Sequence, residues 1–479
     1  MRARLVVLTA SLSAAMAAGC FGLDFDNASF CQTSTCGVFA SSSMGDDDTG
    51  DGTREKPFKT LSRALSVAGR IPVYACGEAF EETLELNGIA TLFGARDCKA
   101  GWEYNPDVPS TLAAGPGEIP LRIAEKAEVA VYDFTIRAAA GEAPGQSSIA
   151  VLAEEGAAVE MERCLIESGD GAPAVDEAAL APASDGVAGT NGADACSAPI
   201  VAGPAGAVSQ CEGAASFGGK GGDGDGVGAD QKPVDAQPGG PGSPGGMPNG
   251  GDAESDAAQC AAGTDGAAGM DGAAGASAAE SLGAIGPKNG FTGARGTSGK
   301  PGQPGQGGGG GGGAKGGAGD MLCADPKSAG GASGGSGGGG GCGGQGGRAG
   351  RAGGSSIGFV SLRAQIAFKE VTITTGAGGK GGDGADGQPG GQGAAGGLGG
   401  TPGATSLNAA CDGGSGGAGG KGGPGGGGRG GHSIGIAYLG DAPPTDGATI
   451  NVGAAAPGGV GAGSTGKAGD GVAVKVQLF

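Results

Sequence analysis

The chain has 479 residues, a net charge of −20, 4% aromatic residues and 118 glycines. So negative a surface argues against nucleic acid, whose phosphates it would repel, and so few aromatics leave no obvious sugar-stacking platform. His432 is the sole histidine and no Cys-x-x-Cys pair occurs, which argues against a zinc centre.

Residues 1–20 read as an export signal: Arg2 and Arg4 precede an apolar run from Leu5 to Ala18, too short to serve as a spanning helix. Ala17-Ala18-Gly19-Cys20 resembles the lipobox of bacterial lipoproteins. That resemblance implies a lipid-modified Cys20 and, with Phe21 rather than Asp behind it, an outer-membrane anchor at the cell surface. Ala17 stands where the motif carries Leu, so secretion without lipid is the alternative. Export to an oxidising compartment makes disulfides the default state of the cysteines. The candidates are Cys31 with Cys36, Cys76 with Cys98, and an even set within the glycine-rich region: Cys196, Cys211, Cys260, Cys323, Cys342 and Cys411. Connectivity within that set is open.

Residues 21–52 read as a linker. Its Asp46, Asp47, Asp48 and Asp51 could hold a cation, but Phe58 stands where an EF-hand-like loop needs its twelfth-position Glu. A cap and the first coils follow over 53–169. Pro57-Phe58 leads into a helical pattern with Leu61, Leu65 and Ala68 on one face. Short β-rich segments come next, at Val73-Tyr74, Thr83–Leu86 and Thr91–Phe93. The stretch from "DGTREKPFKTLSRAL" to "LFGARDCKAGWEY" resembles the N-terminal segment of bacterial surface proteins with right-handed parallel β-helices. It implies that the helix caps the first coil; that family has no single activity.

Repeated units support the same fold. SIGFVSLRAQIAFKEVTITTG (356–376) aligns without a gap to SIGIAYLGDAPPTDGATINVG (433–453), and 148–169 and 119–139 fit the same pattern. Alternation at Ile366 and Phe368, Val371 and Ile373, Val129 and Val131 predicts strands with one buried face. A period near 21 residues fits one coil that must stack on its neighbours. Cys164 aligns with Phe134 and Val371, hence a buried core thiol. The expected fold is therefore all-β: a short right-handed parallel β-helix with an N-terminal capping helix, interrupted by long glycine-rich insertions. Coils occupy 355–376 and 432–479, and the insertions occupy 170–354 and 377–431.

Ninety of the 118 glycines lie between residues 171 and 431. They hold every third place over 378–399, 413–431, 335–353, 293–311 and 263–275, the repeat of a polyproline-II backbone. Collagen is disfavoured because proline is scarce and the runs change phase. A calcium nonapeptide is met in part once, at Gly381–Asp386, without tandem recurrence. No Gly-Lys precedes Ser or Thr, so a P-loop is absent. Two readings stay open: disordered spacers, or polyglycine-II helices packed side by side. The blocks resemble the glycine-rich repeats of PGRS-type surface proteins, for which such bundles are a proposed fold.

For an active site the rungs offer Glu160, Glu162 and Arg163 with Lys369-Glu370 one coil on, which read as a solvated strand face. No catalytic residue, metal site or cofactor is expected. The functional expectation is a non-enzymatic spacer, adhesin or envelope-matrix component, anchored to the membrane by lipid, with cell-surface polysaccharide or other envelope proteins as partners. A carbohydrate-binding or carbohydrate-active protein and a calcium-responsive module are the alternatives.

Overall fold

The computed structural model describes residues 37–479 apart from 228–232, 245–248, 319–321 and 464. The leader with Cys20, and the cysteines Cys31 and Cys36, lie outside the described residues. Strands dominate and helix is scarce. After β1 (Val38–Ala40) comes α1 (Leu61–Ala68), which begins where Thr60 Oγ1 accepts the N–H of Arg63. It buries Leu61, Ala64 and Ala68, with Leu65 partly covered. The chain continues through β2 (Val73–Cys76), β3 (Ala79–Glu81), β4 (Leu84–Leu86), β5 (Ile89–Asp97), β6 (Glu103–Tyr104) and β7 (Ser110–Ala114). Next are β8 (Leu121–Ile123), β9 (Glu128–Tyr132), β10 (Phe134–Ala138), β11 (Ser148–Ala153), β12 (Ala158–Glu162) and β13 (Leu165–Ser168). Three hairpins lie in the glycine-rich stretch: β14 (Val208–Cys211) with β15 (Ala214–Phe217), β16 (Gly226–Val227) with β17 (Pro233–Val234), and β18 (Ala284–Gly286) with β19 (Gly290–Thr292). The last strands are β20 (Ser356–Leu362), β21 (Gln365–Lys369), β22 (Val371–Thr375), β23 (Ser433–Leu439), β24 (Ala448–Asn451) and β25 (Ala473–Leu478).

Three parallel sheets result. The first runs β1-β2-β5-β9-β12-β21, with β6 antiparallel to β5; the second runs β3-β7-β10-β13-β22-β24; the third runs β4-β8-β11-β20-β23-β25. From β2 onward the chain visits the first, second and third sheets in turn, omitting only the first on its final pass. Alternating residues point into one shared core, where like side chains stack in columns. Leu112, Ile136, Ile166, Ile373 and Ile450 pair in register along the second sheet, and Val129, Val159 and Ile366 along the first. Cys164 is buried in that core, and burial pushes its thiol up to about 12.

The corners are as regular as the strands. Left-handed residues recur between the third and first sheets (Gly88, Lys126, Gly156, Arg363) and between the first and second (Asp133, Arg163, Glu370), with Ala95 near the end of β5 and Gly440 and Gly447 on the pass that omits the first sheet. The remaining corner, from second sheet to third, varies most in length. It is short between β10 and β11, but 187 residues separate β13 from β20, 57 separate β22 from β23, and 21 separate β24 from β25. This last excursion lies within 432–479, where glycine is less dense and no insertion was expected.

Within the two larger excursions the backbone bonds with a period of three. Gly186, Gly189 and Gly192 donate to the carbonyls of Gln392, Ala395 and Leu398 at 2.7, 2.8 and 2.8 Å, within a series running from Gly171 to Ala195. Gly335, Gly338, Gly341, Gly344, Gly347, Gly350 and Gly353 donate likewise to 411–429. Both series carry on the register of the sheets. The Ser168–Thr375 pairing of β13 with β22 spans 207 residues, and each donor of the first series is offset by 206 from its acceptor, the slant of a parallel ladder. The 77-residue pairing of β20 with β23 continues in the same way, at 76, through 335–353. Other neighbours are antiparallel, such as Gly299, Gly302 and Gly305 donating to Gly347, Gly344 and Gly341. The excursions therefore fold back repeatedly and share one hydrogen-bond network with the sheets.

Four disulfides join the described cysteines other than Cys164: Cys76–Cys98, Cys196–Cys323, Cys211–Cys342 and Cys260–Cys411, with Cα separations of 5.5, 5.2, 5.4 and 5.9 Å. The first closes a local loop, and the other three cross-link distant parts of the excursions.

Candidate functional sites

The corner between first and second sheets gathers the charged residues expected there. Asp133 and Arg163 occupy successive left-handed corner positions and therefore stack. Arg163 Nε and Nη2 donate to Asp133 Oδ1 and Oδ2 at 2.7 and 2.9 Å, and the Tyr104 hydroxyl donates to Oδ1 at 2.9 Å. Glu162 accepts from Arg163 and, at 2.8 Å, from Lys369. The hydrogen bond to Asp133 holds the Arg163 guanidinium firmly protonated. Beside this group, burial and then the charges of Glu160 and Glu162 push the Tyr132 phenol up to about 12. Asp133 and Glu162 already accept from one and two cations respectively, so the centre of the cluster is a closed polar network. Glu370 sits at the same corner one pass later, also with positive φ.

The acidic loop before α1 is similarly committed. Asp46 Oδ1 accepts the N–H groups of Thr49 and Asp48, which hold its carboxyl below the usual range. Asp47 accepts from the N–H groups of Lys59 and Thr60 and from the Thr60 hydroxyl. Asp51 accepts from the hydroxyl and N–H of Thr53, which lower its carboxyl too. In the partial calcium motif, Asp383 Oδ1 accepts the N–H of Val460 at 2.7 Å and Oδ2 lies 3.4 Å from Lys380 Nζ.

His432 closes the second excursion as it enters β23. Its ring is buried, with Nε2 2.8 Å from the carbonyl of Leu282 while Nδ1 accepts the N–H of Val472 at 2.9 Å. Those partners fix a neutral ring protonated at Nε2, and burial lowers its pKa. Nearby, a seam of buried hydroxyls lines the corner where the excursions leave and return. Ser168 and Ser356 share a bond of 2.8 Å, and Thr375 and Ser433 one of 2.7 Å. The N–H of Gly376 donates to Ser356 Oγ, and Ser433 Oγ donates to the carbonyl of Gly376. The unit alignment placed these residues, but not their bonding to one another.

One site was not anticipated. A cleft of about 690 Å³ opens on the outer side of the third sheet, where the loops around Glu118 and Gln146 face the turn of the β18–β19 hairpin. Arg122, Lys288, Arg295 and Arg351 line it, against Glu118 as the one carboxylate. Its apolar floor includes Ile119, Ile149 and Phe291, which belong to a second buried cluster outside the main core. Arg122 donates to the carbonyls of Pro287 and Lys288, both at 3.0 Å, and so fastens the hairpin turn to the sheet. The sequence signal was Gly-Pro-Lys-Asn-Gly (286–290) flanked by Ile285 and Phe291, a turn with apolar shoulders inside a glycine-rich block.

Compared with protein-family models, with curated proteins and with solved structures, the chain matches none.

Proposed function

We propose that the chain is a non-enzymatic structural scaffold of the cell surface, a short right-handed parallel β-helix from whose corner between second and third sheets a bundle of polyglycine-II helices projects. The register continuity carries this reading, because an excursion locked in phase with two sheets is a rigid extension of them. Three residues per turn places successive side chains 120° apart, so each helix can bond to neighbours on several sides at once. A bundle of this kind sets a fixed distance between an anchor and whatever the far side meets. The charged cluster supports the non-enzymatic part of the reading, since its central carboxylates, Asp133 and Glu162, are bound by Arg163, Lys369 and Tyr104.

Export and a lipid anchor at Cys20 belong to the same proposal, resting on the leader and its likeness to a lipobox. In a bacterial host fed an acyl-chain probe, the wild-type chain should take label and resist release by salt. Cys20→Ala should lose the label and appear in the medium; label retained on that variant would refute the anchor. Protease added to intact cells should reach the exported chain, and complete protection until lysis would refute surface display.

A further inference from the structure

The basic cleft stands out on a chain with a net charge of −20. Lys288 and Arg295 are exposed, and among the described residues neither makes an ion pair or a side-chain hydrogen bond. Arg351 reaches only a long contact, 3.8 Å, to Glu177, which it shares with Arg348. Arg122 bonds to neutral carbonyls, so its charge is uncompensated as well. By contrast, Arg163 is matched to Asp133 and Glu162. Uncompensated like charges converging on one concavity repel one another and are relieved by an anion. Guanidinium groups in particular present paired donors to a carboxylate. Between the cations lie uncharged hydrogen-bonding groups on the hairpin, Asn289 and Thr292, suited to hydroxyls. The volume lies within the range of sites for ligands of a few rings.

We infer that this cleft binds a carboxylated saccharide, its carboxylates on Lys288, Arg295 and Arg351 and its hydroxyls on the neutral groups between them. The site joins the two parts of the molecule, since Arg122 comes from the third sheet while Lys288, Arg295 and Arg351 come from the first excursion. It requires the hairpin to be docked and does not depend on export or lipid.

Titration calorimetry on the full oxidised chain, with β-1,4-linked mannuronate tetrasaccharide against mannotetraose, isolates the carboxylate. The acidic sugar should bind roughly tenfold or more tighter than the neutral one, and less tightly as salt rises. Lys288→Gln combined with Arg295→Gln should weaken it by at least about tenfold. Lys56→Gln with Lys99→Gln, equal in charge change but remote and exposed, should leave it unaltered. Both double variants should melt as the wild type does, and Arg351→Gln alone offers a second probe if the first pair is unstable. Equal binding of the two sugars, no binding of either, or an unchanged affinity in the cleft variants would overturn the assignment. So would inorganic phosphate binding as tightly as the acidic tetrasaccharide, which would mean that the cleft reads charge alone.

Discussion

Aspartate followed by glycine does a specific job in the excursions. Gly186 donates its N–H to the carbonyl of Gln392 while Asp185 Oδ1 accepts the N–H of that same Gln392 at 2.7 Å. The two-point grip recurs with Asp265-Gly266 on Ser415, Asp271-Gly272 on Lys421 and Asn191-Gly192 on Leu398. Asp170, Asp176 and Asp194 do the same with their own partners, and Ser277 holds Gly427 in place of an acid. At two intervening places the gripped residue is Pro389 or Pro424, which has no N–H to satisfy. Much of the acidity of the glycine-rich region is therefore backbone capping. Asp271→Ala should cost about 1 kcal/mol and speed amide exchange at Lys421, whereas Asp271→Asn, which keeps the acceptor, should restore protection. The hydroxyl seam is more deeply buried: Ser356→Val leaves the Ser168 hydroxyl without its partner, while the N–H of Gly376 keeps the Ser168 carbonyl, and should cost about 1–3 kcal/mol in denaturant unfolding. For His432, burial disfavours the charged ring, with Arg429 adding to that effect. Its folded pKa lies below the unfolded one, so its contribution is complete above the ordinary 6.5 and is lost as pH falls through the lowered value. His432→Phe should melt lower than wild type near pH 7 but show a flatter pH dependence from about pH 7 down to about pH 5, since no other histidine titrates there.

At the scale of single elements, glycine density reports how many sides of a run are covered. In 171–195 and 263–278 mostly one residue in three is shielded, and that place is filled largely by glycine or alanine. Over 378–400 most triplets hold two small residues, and the third place, Lys380, Asp386, Pro389, Gln392, Ala395 and Leu398 among others, faces out. Residues 307–314 and 329–342 are buried at every position, and there glycine, with a few Ala, Ser and Cys, fills all three rows. In the second of these, Ser336, Gly339 and Cys342 donate to 184–190, Gly335, Gly338 and Gly341 to 411–417, and Gly334 and Gly337 to 219–222. A Cβ on Gly310, Gly311 or Gly312 would collide with the carbonyl of Lys220, Cys411 or Asp252 respectively. Gly311→Ala should therefore destabilise by at least about 1–3 kcal/mol, while Gln392→Ala, on an outward row, should unfold within about 0.5 kcal/mol of wild type.

The strands, the helix α1 and the exits of the two large excursions were legible in sequence, because apolar alternation at positions such as Ile366, Phe368, Val371 and Ile373 is a local signal. The period-three runs were legible too, but periodicity alone left open whether they are ordered. What decides that is which runs touch, and pairing residues 206 or 76 apart leaves no local trace. The Asp-Gly grips escaped for the same reason, since each links an ordinary dipeptide to a distant backbone. The basic cleft needed Arg122 beside a hairpin more than 160 residues later.

For the molecule as a whole, ordering long glycine-rich segments costs about 1–2 kcal/mol per residue in backbone entropy. The opposing contributions are the continuous hydrogen bonding, the close backbone contacts of the bundle, and three cross-links spanning 127, 131 and 151 residues. Disulfides that close long loops remove the most freedom from the unfolded chain, typically about 2–4 kcal/mol each. Reduction should accordingly loosen the bundle while leaving the three sheets, whose core contains none of those three pairs. The central claim is that the bundle is as ordered as the sheets, and amide hydrogen exchange on the full oxidised chain tests it most directly. Residues 329–342 and 307–314 should exchange as slowly as β20 and β23. Complete exchange of those glycines within the dead time, with the strands still protected, would contradict it.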